Sequence, residues 1–154
     1  MNPIRNSLKA IIIRGGKLLV IGKEDANGRY YLLPGGGQLP GERFRETLER
    51  ECREEIGAAV AMGPLRFIRE YIGSNHEFAA FDGDVHQVEL MFACDLAGDY
   101  AEPASGHEPD TGQVGVYWLE LERLMDYRLY PMTLRPLLMD SGGPPPPVYL
   151  GDVN

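Results

Sequence analysis

Cysteine is scarce in this sequence, so no disulfide framework is expected. The 154 residues include two cysteines, Cys52 and Cys94, and each lies in an apolar stretch. Small secreted domains usually need several disulfides, whereas isolated cysteines in apolar surroundings are typical of buried free thiols in reducing compartments. We therefore expect both thiols to be reduced.

Long apolar runs are also missing. Near the N-terminus the longest run covers residues 10–13 and stops at Arg14, which is too short for the core of a secretory signal peptide. No run approaches the roughly 20 apolar residues that a membrane-spanning helix needs. The sequence therefore predicts a cytoplasmic protein without a membrane partner.

Positive charge is in short supply as well. The chain has 15 lysines and arginines against 23 aspartates and glutamates, for a net charge of −8. An acidic surface of this kind offers no basic stripe for a nucleic-acid backbone, so a nucleic-acid polymer is not expected as a partner. If the ligand is a smaller anion, something other than net charge must attract it, and a metal ion is the obvious candidate.

The order of the predicted elements indicates an α/β fold with a mixed β-sheet and helices on its faces. The length suits one domain better than two subdomains divided near residue 100. Apolar alternation and turn signals place strands and helices along the chain, with tight turns at residues 14–17 and at Asp82-Gly83. The predicted strands are 8–13, 17–21, 30–33, 59–62, 65–71, 87–96 and 114–119, and the predicted helices are 44–56, 121–127 and 133–139.

We predict a domain over residues 1–140 and a proline-rich tail over residues 141–154. Four consecutive prolines exclude regular helix or strand at that point and favour a polyproline-like or disordered segment. The apolar residues 148–150 leave a second possibility open, in which the tail docks onto another copy and makes a homodimer.

The helix at 44–56 carries the chemistry. At about 100° per residue, Glu54 and Glu55 fall within roughly 60° of Glu51, away from an apolar stripe of Leu48, Cys52 and Ile56 that should face the core. Like charges at this spacing cost a few tenths of a kcal/mol each. Arg50 can relieve Glu54 at i,i+4, but nothing local relieves the other two. A divalent cation would use these carboxylates as ligands. A merely solvated acidic face is the alternative, and charge count alone would favour it.

A glycine-rich loop just ahead of the helix favours the metal-binding interpretation. Residues 34–37 read PGGG, and glycine lets backbone amides and carbonyls approach a phosphate or a metal because no side chain stands in the way. Such a loop is a weak signal alone. At fixed spacing from an acidic helix it is much stronger.

Together these residues match the Nudix box, GX5EX7REUXEEXGU with U a bulky apolar residue, over residues 36–58. Gly36, Glu42, Arg50, Glu51, Glu54, Glu55 and Gly57 occupy the fixed positions. The chain therefore resembles the Nudix hydrolases of the MutT-like type, which have an α/β/α sandwich fold. Cys52 and Ala58 are smaller than the family's usual residues at the U positions, which affects local packing and not the chemistry.

The resemblance implies hydrolysis of a nucleoside diphosphate linked to another moiety, assisted by Mg²⁺ or Mn²⁺. It implies that Glu54 and Glu55 bind metal, that the Gly35 carbonyl joins them, and that Glu51 is a metal ligand or the catalytic base. It further implies that Arg50 orients the carboxylates. Three residues of the loop and its junction with the helix would meet the substrate: Gly36, Gly37 and Glu42.

Outside the box the alternatives stay open. The loop before the strand at 114–119 contains acids, of which Glu108 and Asp110 are the best placed for a further metal ligand or base, unless they are ordinary solvated acids. Five aromatic residues could stack on a nucleobase or could simply fill the core: Tyr30, Tyr31, Phe78, Phe81 and Trp118. His76, His86 and His107 lack metal-ligand spacing, so we expect them on the surface or on a substrate loop.

The substrate itself is not specified. Residues that accompany ADP-ribose and dinucleoside polyphosphate hydrolysis are absent after the box, where Gly73, Ser74 and Asn75 stand, and no coenzyme A signature is present. These absences count against each class without excluding it, and a nucleoside triphosphate or a small nucleotide sugar is expected no less than any of them. The alternative function is a non-catalytic nucleotide sensor with the same fold. The intact set of glutamates favours the enzyme.

Overall fold

The computed structural model describes residues 2–97, 112–139 and 142–154. Across those ranges the chain forms two mixed β-sheets with three α-helices and two short 3₁₀ segments, Gly73–Asn75 and Leu121–Asp126. The strands are β1 (Arg5–Ile11), β2 (Ile13–Arg14), β3 (Lys17–Asp25), β4 (Gly28–Leu32), β5 (Gly35–Gly37), β6 (Val60–Ile72), β7 (His86–Leu96), β8 (Gln113–Glu120), β9 (Leu129–Tyr130) and β10 (Tyr149–Asp152), and the helices are α1 (Phe44–Ile56), α2 (Ala79–Asp82) and α3 (Leu134–Met139).

The first sheet has the strand order β10-β6-β7-β1-β5, and the second has the order β2-β3-β4-β9 with β8 also paired to β3. Within the first sheet β1 runs parallel to β7 and antiparallel to β5. This arrangement confirms the predicted α/β fold with mixed sheet pairing.

The described residues form two hydrophobic cores, the α1 core that packs on α1 and a second core on the opposite side of β3. Strand β3 contributes to both. Leu19 and Ile21 belong to the core that packs on α1, whereas Leu18 and Val20 belong to the core on the opposite side, and all four are fully buried. Alternate residues of a strand point to opposite faces. The uninterrupted apolar run of β3 is therefore explained by burial of both its faces.

Helix α1 has the boundaries that the sequence predicts. Leu48, Cys52 and Ile56 are completely buried, and Gly57 ends the helix in the left-handed conformation at φ 64°. This is the usual place for a glycine after a helix, because it has no Cβ to clash. The predicted core stripe is confirmed. Cys52 and Cys94 are free and buried, and burial raises the pKa of the Cys94 thiol to about 11.

One predicted strand break is wrong, and one predicted turn is present. Residues 59–71, expected as two strands separated by Gly63-Pro64, form the single strand β6 with an irregular register between Met62 and Leu65. A bulge can absorb a proline without ending the strand. At Asp82-Gly83 the predicted tight turn is present, because the amide of Val85 donates to the carbonyl of Asp82 at 2.9 Å, and the helical turn α2 comes directly before it.

The C-terminal residues add a strand that the sequence analysis did not predict. Strand β10 lies parallel to β6, and the amide of Ile68 donates to the carbonyl of Val148 at 2.8 Å. The prolines at 144–147 lie outside any helix or strand, as expected. Leu150 packs against the second core, while Val148 and Tyr149 are exposed. The domain boundary at residue 140 and the homodimer stay predictions.

Candidate active site

The glycine-rich segment is a short strand and not the loop expected from the sequence. Gly35, Gly36 and Gly37 form β5, which pairs antiparallel with residues 7–9 of β1. Gly35 has a φ of +138°, and a Cβ there would lie 1.9 Å from the carbonyl oxygen of Leu8. A Cβ on Gly36 would lie 2.6 Å from the carboxylate carbon of Glu51. Glycine therefore lets β5 sit between β1 and α1, with its backbone against a carboxylate of the helix.

Glu55 is buried at this junction instead of facing solvent. It is 2% exposed, and its Oε1 accepts a hydrogen bond from the amide of Gly35 at 3.2 Å. Glu51 and Glu54 are more accessible, with 16% and 31% of their side chains exposed. The acidic stripe is thus graded from a buried carboxylate to a partly exposed one.

Arg50 relieves the repulsion within the stripe more fully than the sequence indicates. Its Nη1 lies 2.9 Å from Glu51 Oε1 and 3.4 Å from Glu54 Oε2, and its Nη2 donates to the carbonyl of Gly37 at 3.0 Å. The expectation that nothing local relieves the charge repulsion at Glu51 is therefore wrong, because the guanidinium of the adjacent Arg50 folds back to contact the Glu51 carboxylate. Arg50 also ties the helix to β5.

Glu42 connects the segment before the helix to Arg50. Its two oxygens accept from Arg50 Nε at 2.7 Å and Nη2 at 2.9 Å, and the amide of Leu39 and the hydroxyl of Thr47 also donate to it. The Arg50 guanidinium, more than these other donors, lowers the pKa of Glu42 to about 2. Glu42 thus supports the junction between loop and helix. Its contact with substrate stays a prediction.

Between pH 4.5 and pH 2 we expect the free energy of unfolding to decrease less steeply in Glu42→Gln than in the wild type. The folded-state pKa of about 2 lies below the ordinary value of 4.5, so the carboxylate stabilises the fold fully above pH 4.5 and loses this effect as the pH falls towards 2. Thermal unfolding of the wild type and Glu42→Gln across that window measures the difference. The exposed Glu122→Gln is the control and should keep the wild-type slope. Equal slopes in wild type and Glu42→Gln would contradict this role of the Arg50 pair.

A cavity of about 990 Å³ opens beside this junction. Glu51, Glu55, Gly35 and Gly36 line it, whereas Glu54, Gly37 and Glu42 are not among its described lining residues. Basic side chains from distant parts of the chain also line it: Arg5, Lys9, Lys23, Arg69 and Arg128. The cavity is also lined by six carboxylates, so it brings both signs of charge together: Asp25, Glu51, Glu55, Glu77, Asp82 and Glu89. In a chain with a net charge of −8, its basic side chains offer the contacts that an anion needs.

The sequence analysis missed these basic residues, which lie between positions 5 and 128 and share no motif. One local signal exists at Lys9, which breaks the apolar run of β1. Its Nζ donates to the carbonyls of Leu33 and Gly35, both at 3.3 Å. Arg69 pairs with Glu89 through its Nε and Nη2 at 3.1 and 3.2 Å, and both residues are buried. The basic side chains are thus held in place by carbonyls and carboxylates.

The five candidate aromatic residues separate in the structure. Tyr30, Phe78 and Phe81 line the cavity. Tyr31 packs on the second core beside Tyr117 and Tyr127, and Trp118 packs on the α1 core.

Tyr130 is an aromatic residue that sequence reasoning missed. It joins the cavity wall, with its ring centroid 5.8 Å from that of Tyr30 and 5.4 Å from that of Phe78. Its two-residue strand β9 gives too weak a periodic signal to reveal it.

The remaining candidates lie elsewhere. His76 Nε2 lies 2.6 Å from Asp152 and His86 Nε2 lies 3.0 Å from Glu70, so each described histidine faces one carboxylate. His107, Glu108 and Asp110 fall outside the described residues. Over residues 2–97, 112–139 and 142–154, no three His, Cys, Asp or Glu side chains are grouped so as to hold a metal ion. Glu51, Glu54 and Glu55 instead contact Arg50 and Gly35.

The family model of the NUDIX domain matches residues 4–138. This chain belongs to the NUDIX family. The family assignment confirms the resemblance found in the sequence and, with it, a pyrophosphohydrolase activity. The matched region contains both the glycine strand and α1, so the carboxylates and the cavity belong to the NUDIX domain itself.

Solved NUDIX structures share the fold. A MutT NUDIX hydrolase from Burkholderia pseudomallei is 26% identical, with a TM-score of 0.61 over 79% of this chain and 86% of that one. A NUDIX hydrolase from Nitrosomonas europaea is 16% identical, with a TM-score of 0.72 over 100% of this chain and 81% of that one. An ADP-ribose pyrophosphatase from Streptococcus suis is 18% identical, with a TM-score of 0.53 over 78% and 76%.

No curated protein matches the chain significantly in sequence.

The structure also bears on the membrane prediction. Among the described residues of this NUDIX protein, none of the helices has the length and apolar character required to cross a membrane.

Proposed function

We propose that this NUDIX protein hydrolyses the pyrophosphate linkage of a nucleoside diphosphate joined to another moiety, with Mg²⁺ or Mn²⁺ as cofactor. The observation that carries the proposal is the composition of the cavity. Glu51 and Glu55 line it together with the backbone of β5 and five basic side chains. Such a site combines oxygen donors for a cation with cationic side chains for a polyanion.

The donor atoms at the junction are of the kind that a divalent metal ion binds, although in the described residues they are not grouped around one point. The donors available are the carboxylates of Glu51, Glu54 and Glu55 and the carbonyl of Gly35, which are all oxygens of the kind that Mg²⁺ and Mn²⁺ prefer. Arg50 offsets one of the three negative charges and leaves an excess for a dication. When bound, a divalent ion neutralises phosphate charge and lowers the pKa of a coordinated water.

The chain's own residues supply the rest of the chemistry. The basic side chains of the cavity bind the phosphate oxygens and fix their orientation. Arg50 holds Glu51 and Glu54 in place, and the Gly35 amide does the same for Glu55. A carboxylate within hydrogen-bond reach of the attacking water takes its proton.

Turnover of a substrate panel tests the proposal. The panel contains nucleoside triphosphates, nucleotide sugars, ADP-ribose and dinucleoside polyphosphates, each incubated with Mg²⁺ and with Mn²⁺. We expect hydrolysis of at least one class by the wild type, and a loss of about a hundredfold or more in Glu54→Gln. Glu49→Gln is the matched control, because Glu49 lies on the same helix away from the acidic stripe, and it should retain wild-type turnover.

The rival proposal is a nucleotide sensor without turnover. It would be favoured if the wild type bound nucleotides and metal but hydrolysed no member of the panel. Full activity in Glu54→Gln would instead remove Glu54 from the set of metal ligands. The expected partner is a small nucleotide-type molecule. A cytoplasmic location, a homodimer and a role for Glu108 or Asp110 remain proposals from the sequence.

A further inference from the structure

One of the residues that line the cavity is a large apolar side chain that is almost fully exposed. Phe81 is 89% exposed although it is among the largest apolar side chains. It lies on α2 and lines the same cavity as Glu51 and Glu55. A phenylalanine that gains no burial from folding contributes nothing to the core. Its position suggests that a ligand covers it.

The cavity next to Phe81 is lined with other aromatic rings. Tyr30, Phe78 and Tyr130 contact one another, with centroid separations of 6.4 Å for Tyr30–Phe78, 5.8 Å for Tyr30–Tyr130 and 5.4 Å for Phe78–Tyr130. The Arg128 guanidinium lies 5.4 Å from the centroid of Tyr30 and 5.7 Å from that of Tyr130. Asp25 fixes this guanidinium with two hydrogen bonds of 3.1 and 2.9 Å. The result is an aromatic wall in which Tyr130 packs edge to face against Tyr30 and Phe78.

This wall belongs to the same cavity as the catalytic candidates. Tyr30 lies five positions before Gly35, and five residues of extended chain span at most about 17 Å. A single nucleotide can therefore reach from the carboxylates to the aromatic rings. The basic side chains of the cavity would meet its phosphates along the way.

The segment that carries Phe78 and Phe81 is anchored at both ends. The hydroxyl of Tyr71 donates to Asp82 Oδ2 at 2.9 Å, next to Phe81. On the other side, Asp152 of β10 accepts from the Ile72 amide at 3.0 Å and from Asn75 at 2.8 Å. The exposed ring is thus presented by a fixed segment, which lowers the entropy that a ligand would lose on stacking against it.

We propose that this end of the cavity is a nucleobase subsite, defined by Tyr30, Phe78, Phe81 and Tyr130, in which the base stacks on Phe81 and Tyr30. The identity of the ligand as a nucleotide rests on the proposed function. Aromatic rings offer flat apolar contact that suits a planar base. The base, rather than the group beyond the pyrophosphate, is therefore what the aromatic end binds.

Binding of three metal-free probes tests the subsite without turnover. Calorimetry would compare AMP and UMP with ribose 5-phosphate, which carries the same sugar phosphate and no base. We expect the wild type to bind at least one nucleoside monophosphate about tenfold or more tightly than ribose 5-phosphate, as one stacked base provides. Phe81→Ala and Tyr30→Leu should each reduce that ratio several-fold and leave ribose 5-phosphate binding unchanged.

Met125→Ala is the matched control, since Met125 is a large exposed apolar residue that does not line the cavity. It should keep the wild-type ratio. The proposal is overturned if the wild type shows no preference for the base, or if the preference survives both aromatic substitutions. Because Phe81 is already exposed, its loss should not unfold the protein, and a thermal melt checks this.

The two proposals can fail separately. Hydrolysis of the substrate panel with no base preference would keep the proposed function and remove the subsite. A base preference that depends on Phe81, in a protein that hydrolyses nothing, would keep the subsite and favour the nucleotide sensor.

Discussion

Glu51→Gln is expected to lower kcat by about 10²- to 10⁴-fold, the range typical of removing a positioned acid or base. The carboxylate lies against Gly36 and 2.9 Å from Arg50 Nη1, at the wall of the cavity. Glutamine has nearly the same shape, so packing around it should be kept. It can neither take a proton from water nor hold a cation strongly. Initial rates at saturating substrate and metal provide the measurement.

The same variant separates the two roles that remain open for Glu51. A metal ligand should be needed for the rise in melting temperature that Mg²⁺ produces by binding the folded state, whereas a pure base should not. Loss of both kcat and the Mg²⁺-dependent shift in Glu51→Gln would therefore identify a ligand, and loss of kcat alone would identify the base. Glu49→Gln is again the control. A Glu51→Gln enzyme within about threefold of wild-type kcat would exclude both roles.

Gly35→Ala is the second substitution with a large expected effect. Its Cβ would lie 1.9 Å from the carbonyl oxygen of Leu8, at a φ of +138° that disfavours any side chain. The left-handed backbone costs about 1–2 kcal/mol, and the forced separation of β5 from β1 adds about 1–3 kcal/mol. We also expect activity to fall steeply, because the Gly35 amide positions the carboxylate of Glu55.

Gly28→Ala separates the two contributions. Gly28 also has a positive φ, +105°, but a Cβ there meets no atom within 4 Å. The Gly28→Ala variant should lose only the backbone contribution of about 1–2 kcal/mol in free energy of unfolding, and the variant should remain active. Chemical denaturation of the two variants beside the wild type measures the difference. Equal destabilisation by both substitutions would show that the contact between Gly35 and Leu8 is not a constraint.

Some parts of this protein are determined by residues close together in the chain. The spacing from Gly36 to Gly57 defines α1, its buried stripe and its acidic stripe, because helix periodicity and a glycine C-cap depend on a few neighbouring residues. The same local signals predicted most strands to within a few residues. They also indicated the family, since its motif is continuous in sequence.

Other parts depend on contacts between distant positions. The glycine segment pairs as a strand only because β1 lies beside it, and β10 exists only because β6 offers a free edge about 80 residues earlier. Asp82-Gly83 favours a tight turn on its own, whereas the helical turn α2 that comes directly before it was not predicted from the sequence.

The cavity shows most clearly which features depend on neighbouring residues and which depend on contacts between distant positions. The sequence identified the carboxylates of α1, which repeat at helical spacing on one element. It could not group Arg5, Lys9, Lys23, Arg69 and Arg128, or place Tyr130 beside Tyr30 and Phe78. These side chains come from separate strands and loops and share no period. Their proximity is decided by strand order and by which face of each strand is buried, and both follow from packing over the whole domain rather than from any local run of residues.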